Sequence, residues 1–173
     1  MKAKSIKGKS IEEIRTALAE SIADGFKPTL AVVFLSFKQD IDGVCRILDN
    51  EGIQIFGATS SGEFISSEIE EGSIAIMLLD MDPSYFKVKF FESKEGSDFE
   101  ISKQLGEEGK KIFLIPAFII ASGWSTEVDG EEIIKGIEDG CGGGATIFGG
   151  MAGDDLTLTG PKVFTLGKSS VKG

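Results

Sequence analysis

Two short segments hold most of the side chains in this sequence whose types and spacing could do chemistry. Gly57-Ala58-Thr59-Ser60-Ser61-Gly62-Glu63 and Gly149-Gly150-Met151-Ala152-Gly153-Asp154-Asp155 each follow a short apolar run, and each ends in acid. Thr59, Ser60 and Ser61 bring hydroxyls, Gly62 leaves a backbone amide open to approach, and Glu63 brings a carboxylate. The second segment offers the amides of Gly149, Gly150 and Gly153 and the carboxylates of Asp154 and Asp155. Hydroxyls and amides bind carboxylate or phosphate oxygens, while carboxylates bind an ammonium group or a cation. Together the two segments suit a small zwitterion such as an amino acid. The same residues also suit a purely architectural role, with small side chains allowing close packing and acids capping backbone amides.

Other chemistries are narrowed by composition. The sequence has no histidine, which removes Ser-His-Asp and Cys-His catalysis, imidazole metal ligation and a phospho-accepting histidine. Cys45 and Cys141 stand 96 positions apart, form no CxxC pair and read as reduced thiols. Cys45 falls mid-helix beside Val44 as a small core residue. Cys141 falls on a glycine link, exposed but with no histidine to activate it. Glu63 with Asp154 or Asp155 could hold a hard cation, but no DxDxDG series accompanies them, and neither metal nor cofactor is expected. No glycine cluster fits a phosphate loop. Residues 149–153 follow a strand without opening a helix, residues 142–144 follow a helix C-terminus, and residues 106–110 have the wrong spacing and end a helix. Trp124, the only tryptophan, stands in Ser122-Gly123-Trp124-Ser125-Thr126 after a buried strand, placed either to stack on a ligand or partner or to pack beneath its loop.

The elements that position these segments belong to an ordinary globular chain. Its 173 residues are 41% hydrophobic and 27% charged, a balance that supports one domain, 1–173, with its own core. The net charge of −10 repels phosphate backbones and anionic lipid, so neither nucleic acid nor membrane is an expected partner. The basic start lacks an apolar stretch of signal-peptide type. The longest apolar run, residues 112–121 with Pro116 inside, reads as a buried strand too short to span a membrane.

Ser10 and Glu13 make a capping box for a first helix that Gly25 and Pro28 stop. LAVVFL (residues 30–35) reads as a central strand covered on both faces. A short helix after Asp40, a brief strand at 53–56, and strands at 73–79 and 85–91 follow, the last alternating Phe86, Val88 and Phe90 with lysines. A helix from Ser97, a strand at 112–115, a helix opened by Asp129 and strands at 146–148 and 161–166 complete the chain. The fold class is therefore α/β, mixed sheet flanked by helices. The order repeats: Ile55-Phe56-Gly57 recurs as Ile147-Phe148-Gly149 92 positions later, and Asp42-Gly43 and Asp129-Gly130 each start the helix before it. This suggests two similar αβαββ halves, 10–92 and 97–167, from internal duplication.

The two acid-ended segments, preceded by TLAVVFLS and by Asp129-Gly130-Glu131-Glu132 in the same order, resemble the N-terminal FIST domain family over residues 28–166. The resemblance implies an intracellular, cytoplasmic sensory module in signal-transduction proteins. Such a module is expected to bind small ligands of the amino-acid kind beside a C-terminal FIST domain or a histidine kinase, chemoreceptor or diguanylate-cyclase output domain. It supplies no catalytic residues, so the ligand contacts Thr59, Ser60, Ser61, Gly62, Glu63, Trp124, Gly149, Gly150, Gly153, Asp154 and Asp155 rest on loop chemistry. Two other readings stand beside it: a metal-dependent enzyme using Glu63 and Asp154 or Asp155, and a protein-docking module without a small ligand.

Overall fold

The computed structural model describes residues 1–65, 68–92, 94, 97–124, 128–157 and 160–173. Ser125 and Thr126 of the tryptophan segment fall outside them.

The expected cap forms, with the return bond shifted by one residue. Ser10 Oγ accepts the Glu13 amide at 3.3 Å, and the Glu13 carboxylate reaches back to the amide of Lys9, one residue before the cap. It starts α1 (Ile11–Ile22), whose Ile14 and Leu18 are buried. An unexpected strand, β1 (Lys2–Gly8), precedes it. β2 (Leu30–Ser36) follows, then α2 (Ile41–Asn50), capped by Asp40 through the Gly43 amide at 2.9 Å. β3 (Gln54–Ser60) leads through a turn into the hairpin of β4 (Glu63–Ile65) and β5 (Glu68–Glu70), and then β6 (Ile74–Asp80).

β1, β6, β2 and β3 lie side by side in that order. β2 and β3 are parallel, joined by α2, while β6 runs antiparallel to both β1 and β2. Ala31, Val33 and Leu35 of β2 join Ile14, Leu18, Val44 and Leu48 of α1 and α2 in the main core. Removing the valine, leucine and isoleucine side chains from water supplies about 1.5–3 kcal/mol each. The other face of β2 is covered as expected at Leu30, Val32 and Ser36, all buried, and opens only at Phe34, which is 42% exposed.

The second half departs further from expectation. Residues 86–92 form no strand; after a single 3₁₀ turn at Pro83–Tyr85 they run as irregular chain. α3 (Asp98–Ile112) takes in the 106–110 segment expected to end it and stops just beyond, at Ile112. The run at 112–121 is therefore not one buried strand. Leu114 and Ile115 are almost fully exposed, Pro116 separates them from β7 (Ala117–Ser122), and Ile119 within that strand is 62% exposed. α4 (Gly130–Cys141) crosses from β7 to the parallel β8 (Thr146–Met151). α3 and α4 meet backbone to backbone through glycines. A Cβ on Gly106 would stand 2.5 Å from the carbonyl oxygen of Ile137, and one on Gly140 would collide with that of Lys103. β9 (Val163–Thr165) and β10 (Lys168–Ser170) then return to the first sheet, where β9 pairs with β3.

The architecture is mixed α/β, a six-stranded sheet beside a smaller layer of α3, α4, β7 and β8. Both halves contain a parallel strand–helix–strand crossover, but such units are common to α/β proteins and do not by themselves make the halves copies. Asp129 is the cap of α4, whereas Asp42 lies inside the first turn of α2, so the two Asp-Gly pairs are not equivalent.

Candidate functional site

Parallel strands point their carboxyl ends the same way, and ligand-binding loops of α/β proteins gather there. Here the ends of both parallel pairs meet. The Ala152 amide, just past β8, donates to Ser122 O at the end of β7 at 2.8 Å. The next amide, Gly153, donates to Thr59 O near the end of β3 at 2.9 Å. Gly153 has no room for a side chain, since a Cβ would stand 2.6 Å from Ser61 Oγ. The two segments are thus in direct contact and join the two layers.

Each hydroxyl and acid in the cluster has a defined place. Thr59, 1% exposed, exchanges hydrogen bonds with Lys162: its amide donates to the Lys162 carbonyl, and its Oγ1 accepts the Lys162 amide, both at 2.8 Å. Glu63, 3% exposed, accepts from Ser60 Oγ at 2.8 Å on one oxygen and from the Ser73 amide and hydroxyl at 2.9 and 3.0 Å on the other. It ties the turn at Gly62 to the start of β6. Asp154, also buried, accepts from Thr157 Oγ1 at 3.1 Å and the Gly160 amide at 3.2 Å. Both acids point into their own loops.

Asp155 differs. Its amide donates to Ser61 Oγ at 3.1 Å, and its carboxylate accepts from Ser36 Oγ at 2.9 Å and faces Lys38 Nζ at 3.6 Å. Asp155 and Leu156 both adopt left-handed backbone, φ 55° and 61°, a conformation that costs a residue with a side chain roughly 1–2 kcal/mol. Ser36 and Lys38 were not singled out from sequence; the available signal was a polar residue closing the apolar run of β2.

The remaining expected contacts stand elsewhere. Gly149 and Gly150 lie within β8, exposed, opposite Ile120 and Ala121. The backbone of β7 fills the space a side chain on Gly149 would need, at φ 152°. Trp124, 40% exposed, follows Gly123, whose amide donates to Gly173 O at 2.7 Å.

Behind the cluster is a cavity of about 130 Å³, bounded by β3 and β9 on one side and β7 and α3 on the other, with residues 88–91 along it. None of the expected ligand contacts lines it. Ala58, Ala152 and Val163 pack together as a small apolar wall, with Phe90 and Ala121 against it; Val163, Phe90 and Ala121 also line the cavity.

The thiols are unsuited to nucleophilic work. Burial, aided by nearby Asp42 and Asp40, pushes Cys45 up to about 11. Cys141 is not exposed on a link but is the last residue of α4, buried, with Sγ directed at Gly106 O at 3.6 Å, and burial raises its pKa as well. Among the described residues no three Cys, Asp or Glu side chains group as a metal would require, and no helix is long and apolar enough to cross a membrane.

Neither the curated proteins nor the solved structures include a match to this chain. The family model of the FIST N domain matches residues 29–173, beginning at β2 and leaving β1 and α1 outside. That match covers most of the chain, including both segments of the cluster, and the chain belongs to the FIST N-domain family, whose members generally serve as sensory domains of signal-transduction proteins.

Proposed function

We propose that this domain senses a small molecule by changing the fit between its six-stranded sheet and its smaller α3–α4–β7–β8 layer. The observation that carries the reading is the bridge made by consecutive amides of one loop, Ala152 to the end of β7 and Gly153 to the end of β3. A ligand favouring one arrangement of the layers would strengthen or break this bridge together with the Ser61–Asp155–Ser36 contacts, and only a difference in affinity between the two arrangements can transmit a signal. The strained backbone of Asp155 and Leu156 supports this, since left-handed residues with side chains persist where surrounding contacts hold them.

An amino acid remains the ligand class suited to the loop chemistry, with Asp155 receiving its ammonium group. Glu63 and Asp154 are then loop fasteners and not ligand contacts. A C-terminal FIST domain or a kinase, chemoreceptor or cyclase output domain in the cytoplasm would receive the change. A thermal-shift panel of amino acids, divalent cations and small neutral organics tests the reading. A true ligand at a hundred times its Kd raises stability by about 2.7 kcal/mol. A saturable rise in Tm, diminished in Ser61→Ala, is expected; a panel that leaves Tm unmoved throughout would count against sensing.

A further inference from the structure

The cavity behind the cluster has a character unlike that of the loops. Its walls are mostly apolar, and its volume of about 130 Å³ is close to that of an engineered apolar protein cavity, roughly 150 Å³, that takes up benzene. Two hydroxyl residues line it, Ser102 of α3 and Ser122 at the end of β7, only 5% and 8% exposed. Among the described residues neither hydroxyl makes a hydrogen bond, and neither oxygen is sealed off as a buried unpaired atom. A hydroxyl that is open to an apolar chamber and has donor and acceptor capacity to spare is where a guest's polar atom belongs.

The charged groups around the chamber are already occupied. Asp98 accepts the Asp129 amide at 2.7 Å, and Lys89 is 2.6 Å from the Glu108 carboxylate, tying the irregular segment to α3. A zwitterion entering here would lose its hydration without finding a free counter-charge. An uncharged guest with one hydrogen-bonding group would not.

We infer that this cavity is a binding site for a neutral, ring-sized apolar molecule carrying a single hydroxyl or N–H, held by Ser102 and Ser122. The inference adds a second site, distinct from the Asp155 loops, and rests on the sensing reading for its signalling role, because the guest would press on the Val163–Ala121 side of the wall whose other members, Ala58 and Ala152, adjoin the bridge.

Phenol is the probe, with benzene and zwitterionic phenylalanine as comparisons, titrated into the whole chain and followed by amide chemical shifts. Phenol at millimolar concentration is expected to move the amides of Ala121, Ser122 and Phe164 saturably. Benzene should bind more weakly and phenylalanine should leave them in place. Ser102→Ala and Ser122→Ala should each weaken phenol about threefold to tenfold, the worth of one hydrogen bond. If phenol leaves these amides unshifted in the unmodified protein, or shifts them no more than phenylalanine does, the inference is overturned, whatever the variants do. If phenol binds there while the Gly153 and Asp155 amides stay unchanged, the site stands and the sensing reading fails.

Discussion

Replacing Glu63 tests whether its carboxylate fastens a turn or awaits a ligand. Its two oxygens accept three hydrogen bonds, from Ser60 Oγ and from the amide and hydroxyl of Ser73, and the side chain is 3% exposed. Hydrogen bonds to charged groups contribute roughly 1.5–3 kcal/mol each, and neutral ones roughly 0.5–1.5. In Glu63→Gln all three can be remade: the amide oxygen takes the Ser73 pair, and the amide NH₂ donates to Ser60 once that hydroxyl turns round. About 1 kcal/mol per bond is lost, partly offset because a buried charge no longer needs compensation, for a net destabilisation of about 1–3 kcal/mol. Glu63→Ala leaves the Ser73 amide and hydroxyl without a partner and opens a hole, so about 3–5 kcal/mol is expected. Urea denaturation measures both. Ligand affinity in the Gln variant should stay within about twofold of the parent at temperatures where it is folded, well under the 1.4 kcal/mol that a tenfold change represents. An alanine variant as stable as the parent, or a Gln variant that keeps its stability but loses ligand, would refute the fastening role.

Further outcomes follow from the geometry. Gly140→Ala should destabilise by about 1–2 kcal/mol, because overpacking against the α3 backbone outweighs the entropy gained. Gly130→Ala in the same helix meets open space and should stabilise by about 0.4–1 kcal/mol in the same denaturation assay. Leu156→Gly relieves a left-handed residue that is 86% exposed and should raise stability by roughly 0.5–1 kcal/mol; a loss would mean the Leu156 side chain does more than tolerate its position. Cys45, held up to about 11 by burial against an ordinary value of 9.0, should alkylate at pH 8 about a hundredfold more slowly in the folded protein than in urea. Its raised pKa also means that stability present below pH 9 declines as the pH climbs from 9 towards 11, where the unfolded thiol ionises first; a flat profile across that window would contradict its burial.

The first half was the more legible part of the chain. Ser10 and Glu13, Asp40, and the unbroken apolar run of residues 30–35 are local signals, and local signals survive in the structure because the core of α1, α2 and β2 agrees with them. β1 went unread because four residues of its burial pattern are exposed, and its strand character comes from pairing with β6. Residues 85–91 carry a strand's alternation but, among the described residues, no strand pairs with them, which periodicity cannot reveal. Gly106 lies inside α3 because Ile137 and Gly140 of α4 cross there, a reason that lies in a later helix and leaves no local signal. Near the site, the meeting of the two acid-ended segments followed from strand order. The inward turn of Glu63 and Asp154 did not, since it depends on Ser73 and Gly160, which give no signal of their own.

Amide hydrogen exchange at Ala152 and Gly153, the residues that bridge the two layers, probes the central claim most directly. The account predicts that both are protected in the free protein, open together with a common free energy, and exchange more slowly when a small molecule binds saturably. Exchange at the rate of an unstructured peptide, or protection indifferent to every bound small molecule, would contradict it.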